Sequence, residues 1–192
     1  MPKPQVHTRL PQTITLGILK TGKSNHAFRK LLYDFFTVSS RMEEVRSYIG
    51  RKLQLSGPQY TLLIAVAELE QEEGVSVGRV GDYLHVTGTY VTIESGKLSR
   101  KGYLKKETSA VDRRVTLLSL SRKGVEALRS IAHELQVIND TFFNLSSRSD
   151  FVFLCRMLDR LVNNSQNAID FIRTSHGANT RCAVVRKNYV RE

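Results

Sequence analysis

Ser76 to Gly124 reads SVGRVGDYLHVTGTYVTIESGKLSRKGYLKKETSAVDRRVTLLSLSRKG, and this stretch decides the fold. Val77, Val80 and Leu84 mark a short helix beginning after Ser76. His85-Val86-Thr87 follows as a turn, with Thr87 placed to cap a second helix that runs to Lys101 and stops at Gly102. Val91 and Leu98 face inward on that helix. Tyr103-Leu104 and Val115 to Leu120 are then short strands, and the polar segment Glu107 to Arg114 joins them. From Arg79 to Lys123 ten Lys/Arg stand against four acids, a net charge of +6. A helix pair followed by a basic hairpin can set one helix in a DNA major groove with the hairpin tip beside it.

Outside this block the spacing predicts further helices. Leu31, Leu32, Phe35, Met42, Val45 and Ile49 recur along a long helix that Ser24 or Asn25 can cap. Ser56-Gly57-Pro58 interrupts the chain, with Pro58 suited to the first turn of an apolar helix from Gln59 to Glu72. Ser121 caps a helix reaching about Asn144, and a last helix after Ser149-Asp150 carries Phe151, Leu154, Leu158, Leu161, Val162, Ile169 and Ile172. The apolar stripes of the first and last helices exceed what a helix pair and a hairpin can cover. Either two copies pair through them or the helices fold back on themselves in a monomer; the excess favours the homodimer.

Composition narrows the partners. The 192 residues carry a net charge of +11, which implies an anionic partner, nucleic acid or a membrane surface. Residues 1–24 hold +4 and residues 177–192 hold +3, so the surplus sits in three segments and suggests a defined footprint. No run approaches the roughly 20 apolar residues of a bilayer span, and the N-terminus lacks an apolar signal core, so no membrane partner is expected and cytoplasmic residence is the default. Cys155 and Cys182 are too few for a disulfide framework; Cys155 falls on an apolar stripe and is expected to be a small core residue. The five histidines share no metal-ligand spacing, and neither a phosphate loop nor a nucleophile elbow occurs. No cofactor, no metal and no enzymatic activity are expected.

Residue chemistry points to contacts. Opposite Val91 and Leu98 on the second helix lie Thr89, Tyr90, Ile93 and Lys97. Hydroxyls suit base edges or phosphates, an apolar side chain suits a thymine methyl, and a lysine suits a phosphate. Thr87 and Gly88 open that helix, where backbone N–H groups favour phosphate. Lys105, Lys106 and Arg113 are further phosphate candidates, while Asp112 is placed to stabilise the hairpin loop or Arg114.

Two motifs carry a resemblance. Asp112-Arg113-Arg114, then Val115-x-Leu117-x-x-Leu120-Ser121-x-x-Gly124, is similar to the D-x-R…L-[ST]-x-x-G signature of the MarR family of winged helix-turn-helix regulators. Val91-x6-Leu98-x3-Gly102-Tyr103-Leu104 resembles that family's recognition helix and its exit into the wing. Glu94 and Ser95 depart from the pattern, standing where the family usually has apolar residues. The resemblance covers residues 25–173 and implies a mainly α fold with a small β-hairpin wing, a winged helix-turn-helix with N- and C-terminal dimerisation helices. Within it lie a helical dimerisation region at 24–57 and 122–174 and a DNA-binding lobe at 58–121; outside it, residues 1–23, with three prolines and weak periodicity, read as a flexible basic arm, and 175–192 is a basic tail whose role the resemblance does not imply.

The implied function is sequence-specific binding of double-stranded DNA at a palindromic operator by a homodimeric repressor. Arg114 resembles the family's arginine that enters the minor groove, and a small aromatic or lipophilic acid is the implied releasing effector. Tyr33, Arg46 and Tyr60, polar or aromatic groups on the first two helices, are the effector-binding candidates. The alternative is an effector-independent architectural or replication-type winged-helix DNA-binding protein.

Overall fold

The computed structural model describes residues 11–20, 22 and 24–175. Six helices and a three-stranded antiparallel sheet follow in the order α1 (His26–Lys52), α2 (Gly57–Leu69), β1 (Val75–Ser76), α3 (Val77–Leu84), α4 (Gly88–Arg100), β2 (Leu104–Thr108), β3 (Thr116–Leu120), α5 (Arg122–Phe142) and α6 (Arg148–Ser175). The chain divides into two compact units, one up to Gln136 and one from Val137.

Local chemistry sets the boundaries in the first unit. The Ser24 hydroxyl accepts the His26 N–H at the start of α1. Past its end, Gln54 takes a left-handed conformation (φ 55°) and the Leu55 N–H returns to the Gly50 carbonyl. A Cβ on Gly50 would lie 2.8 Å from the Leu55 oxygen, so only glycine permits this fold-back. A capping box opens α2: Ser56 accepts from the Gln59 N–H, Gln59 accepts from the Ser56 N–H, and Pro58 sits in the first turn. Ser76 and Thr87 cap α3 and α4 with their hydroxyls alone, accepting the Arg79 and Tyr90 N–H groups, while His85 turns left-handed (φ 54°) between them.

The core gathers Ile49 of α1, Leu62, Leu63 and Val66 of α2, Val80 of α3, Val91 and Leu98 of α4, and Leu118 of β3, all fully buried. Burying such side chains is worth about 1.5–3 kcal/mol each, which explains why α2 is apolar nearly all round.

Strand order β1-β3-β2 places β3 in the middle, with Val75 opposite Leu118 on one side and Leu104 opposite Leu120 on the other. The sheet differs from the expected two-stranded hairpin in two ways. Two residues before α3 add a third strand too short to alternate visibly. In addition β2 extends through Lys105, Lys106 and Glu107 to Thr108, so the loop shrinks to residues 109–115. Charged side chains all along an edge strand hide the pairing of its backbone.

A short 3-10 turn at Gly17–Leu19 precedes α1, and Arg29 Nη2 donates to the Pro11 carbonyl at 2.9 Å. Pro11 is therefore bonded to α1, within the segment 1–23 that the sequence suggested as a flexible arm. Residues 1–10 and the basic tail from 176, with Cys182, lie outside the described residues.

On the α1 surface Tyr48 Oη donates to Glu134 of α5 at 2.6 Å, and the Lys52 ammonium pairs with the same carboxylate. The bond from Lys52, then that from Tyr48, holds the Glu134 carboxyl below its ordinary range.

In the second unit α6 buries none of its 28 residues. Phe151, Phe153, Leu158, Leu161, Val162, Ile169 and Phe171 are exposed along it. Cys155 is likewise exposed, which corrects its expected place in a core: the apolar side chains around it on α6 are largely open to solvent.

Candidate nucleic-acid interface

Helix α4 presents two chemically different sides. Val91, Glu94, Ser95 and Leu98 are buried, while Thr89, Thr92 and Ile93 are exposed, Ile93 by 53%. Thr87 caps the helix through the Tyr90 N–H at 3.2 Å, and Gly88 is its exposed first residue. Thr92 was not singled out from the sequence, although one helical turn from Thr89 gives it the same face. Arg79 and Tyr83 of α3 are also exposed, four residues apart on the side away from Val80 and Leu84; that spacing was legible but went unused.

Two residues assigned to the outer face are engaged elsewhere. Tyr90 is half-buried and lines a cavity of about 300 Å3 with Glu43 and Arg46 of α1, Pro58 and Thr61 of α2, and Val86. Burial, and next the nearby Glu94 carboxylate, push its hydroxyl above the ordinary tyrosine range. Lys97 donates to Glu94 Oε1 at 2.6 Å and so turns along the inner edge of the helix. Helical spacing places a Cα, but the acid three residues back decides where a flexible ammonium goes.

The buried polar positions of α4 are satisfied. Besides Lys97, Glu94 accepts from Gln59 Nε2 at 3.4 Å, and Ser95 Oγ donates to the Thr92 carbonyl. Gln59 Oε1 accepts from Lys101 Nζ at 3.1 Å, and the same ammonium donates to the Gln54 carbonyl at 2.7 Å. Tyr103 Oη donates to the Leu53 carbonyl at 2.6 Å. The far end of α4 is thus fastened to the corner between α1 and α2.

The wing tip is held by its own short polar residues. Ser109 Oγ accepts from the N–H groups of Val111 and Asp112, and the Val115 N–H donates to the Asp112 carbonyl. Asp112 Oδ1 accepts the Arg114 backbone N–H at 2.9 Å, so the carboxylate braces the loop and leaves the guanidinium alone. Lys105, Lys106, Arg113 and Arg114 are all exposed, and among the described residues nothing pairs with either arginine side chain.

Ser121 and Gly124 anchor the wing's return. The Ser121 hydroxyl donates to the Gly102 carbonyl and accepts the Gly124 N–H at 3.0 Å. At Gly124 a Cβ would stand 2.3 Å from the Tyr103 oxygen, which gives the L-S-x-x-G spacing its physical reason.

The three effector candidates do not converge. Arg46 lines the cavity beside Tyr90, with its guanidinium bonded to Glu43. Tyr33 lines a separate hollow of about 350 Å3 with Pro11, Leu32 and Phe36. Tyr60 is 5% exposed in the core, where burial raises the pKa of its hydroxyl. Tyr60 is therefore a packing residue, on a helix whose faces are almost all internal. No group of His, Cys, Asp and Glu suited to a metal occurs among the described residues, nor is any described helix long and apolar enough to cross a membrane.

No family model matches the sequence. The HTH-type transcriptional regulator SarZ of Staphylococcus haemolyticus is 24% identical over 156 residues, covering 80% of this chain and 98% of the relative. A MarR protein from Peptoclostridium difficile superposes with a TM-score of 0.61 at 21% identity, over 85% of this chain and 99% of the other. MepR of S. aureus, solved as a complex with DNA, gives a TM-score of 0.58 at 18% identity over 69% of this chain and 96% of its own. SarZ is by its name a transcription regulator, as is MhqR of Bacillus subtilis, 22% identical over 137 residues, 71% of this chain and 94% of the relative. The fold of this chain is that of the MarR-family winged helix-turn-helix regulators.

Proposed function

We propose that the protein is a homodimeric, sequence-specific DNA-binding transcription regulator, acting as a repressor that a small aromatic or lipophilic acid relieves. The observation that carries the reading is the pairing of two exposed surfaces in one unit. The Thr89–Ile93 side of α4 offers hydroxyls and an apolar contact, and a braced wing next to it offers two unpaired arginines. The first set suits base edges in a major groove, and the second suits the negative potential of a narrow minor groove. Thr87, Gly88, Lys105 and Arg113 add phosphate contacts that fix the docking register. That MepR, which shares the fold, was solved in complex with DNA supports the DNA-binding part of this reading. The test is selection of duplexes from a random pool by the full chain, followed by binding titration. Affinity for the selected duplex no greater than for random DNA would end the reading.

The dimer rests on exposed apolar side chains. Leu31, Leu32, Phe35 and Phe36 of α1 and the stripe of α6 are open to solvent in a single copy. Apolar patches of this extent are rare on soluble monomers, and a two-fold dimer would match a palindromic site. Sedimentation at micromolar concentration should give a dimer. A stable monomer would overturn this part of the proposal.

The cavity lined by Arg46 and Tyr90 is the place proposed for the effector: a carboxylate can displace Glu43 from Arg46 while an aromatic body packs on Pro58 and Tyr90. Benzoate at 100 times its Kd should raise stability by about 2.7 kcal/mol in a thermal melt, and Arg46→Ala should abolish that shift. A melt that no aromatic acid moves favours the effector-independent alternative.

A further inference from the structure

The DNA-binding reading leaves the buried carboxylate of Glu94 without a role. Glu94 is only 9% exposed, on the helix face that also buries Val91, Ser95 and Leu98. A carboxylate in such a place needs a partner, because burial without one is strongly unfavourable. Its strong contact is Lys97 Nζ at 2.6 Å; the bond from Gln59 is long, at 3.4 Å. The Gln59 side chain is itself occupied by Lys101 and by the capping box of α2, so it cannot reorient to replace Lys97. Lys101 is in turn drawn to the Gln54 carbonyl. Lys97 on the helix meant for DNA and Lys101 just past its end therefore both point their charges back at the protein.

We propose that Glu94 is a positioning residue that withholds the Lys97 ammonium from the DNA backbone and so lowers affinity for DNA of arbitrary sequence. The inference rests on the DNA-binding function proposed above. A phosphate contact strengthens binding to every duplex alike, since it reads no base. Moving Lys97 onto a phosphate would leave Glu94 buried with one weak bond, beside a polyanion. The pair consequently stays closed, and α4 meets DNA through Thr89 and Ile93.

The salt dependence of binding to a random duplex is the readout, because each phosphate neutralised adds about 0.9 to the slope of log K against log salt. Glu94→Gln keeps the shape and the bond with Gln59 but releases Lys97. Its slope should steepen by about 0.9 per protomer, with several-fold tighter binding to random DNA at low salt. The double variant Glu94→Gln/Lys97→Met should return to the wild-type slope, and Lys97→Met alone should leave that slope unchanged.

A flatter slope for Lys97→Met would mean that Lys97 already sits on a phosphate, which overturns the proposal even if Glu94→Gln does not fold. An unchanged slope for a folded Glu94→Gln overturns it as well. Arg114→Ala and Thr89→Ala, run alongside, separate the two claims. If they weaken binding to the selected duplex while Glu94→Gln leaves the slope unmoved, only the role of Glu94 is lost. If none of the variants changes binding, the DNA-binding function falls with it.

Discussion

Gly124→Ala is expected to cost about 3 kcal/mol of folding stability, the upper end of what one added methyl costs in a packed site. The added Cβ would approach the Tyr103 carbonyl oxygen to 2.3 Å, with Leu120 Cδ2 at 3.3 Å. Neither neighbour can yield cheaply. The Tyr103 carbonyl accepts the Ser121 N–H, and its N–H donates to the Leu98 carbonyl. Its ring lies 4.5 Å beneath the Lys123 ammonium, and its hydroxyl is bonded to the Leu53 carbonyl just past α1. Relief would require α5 to move off the wing root, breaking the Ser121 cap. Urea unfolding followed by circular dichroism measures the loss. A midpoint within error of wild type would show that the close approach carries no energetic weight. Gly96, with open space around its Cβ position, is the control: alanine there should be neutral or slightly stabilising.

The same residue shows what sequence reading could and could not reach. Gly124 was visible as a motif position, and the caps at Ser76, Thr87 and Ser121 were legible because a hydroxyl before an apolar repeat has few other local uses. The three capped helices and the inward Val91 and Leu98 followed from periodicity alone. What escaped was what periodicity does not encode. Glu94 and Ser95 are inside because Lys97 and a helix carbonyl satisfy them, not because their side chains are apolar. Tyr90 and Lys97 were expected to face DNA, yet one lines a cavity and the other bonds a carboxylate; both outcomes depend on α1, α2 or a neighbouring acid. Tyr60 looked available on a helix that turns out to be internal. The spacing of α6 marks an apolar stripe correctly but does not say what covers it.

Arg114→Ala should weaken binding to the selected duplex by about 1–3 kcal/mol, roughly 5- to 150-fold, while leaving the melting temperature unchanged. Two features make the effect large. The guanidinium is free of partners among the described residues, so inserting it into a groove breaks no intramolecular bond. The backbone beneath it is already braced by the Asp112 carboxylate, so little ordering is left to complete on binding. Loss of the arginine should also flatten the preference for A·T over G·C where the wing lands, since a narrow A·T groove is what attracts the side chain. Fluorescence anisotropy on duplexes differing only at those positions measures both effects. Equal affinities for wild type and variant would remove the wing from the mechanism.

The middle strand of the sheet has a mechanical consequence. β3 is bonded to β2 on one side and to β1 on the other, and β1 runs directly into α3. The stem of the hairpin is thereby welded to the helix pair, and Glu70 adds a clamp by accepting the Leu120 N–H at 2.7 Å. Helix α4 and the wing tip accordingly behave as the two jaws of a caliper whose opening is set when the protein folds. Under the proposed function the protein gauges the distance from one groove to the next, and the duplex does the bending. Sequences stiff at the wrong spacing are rejected without a single base there being touched.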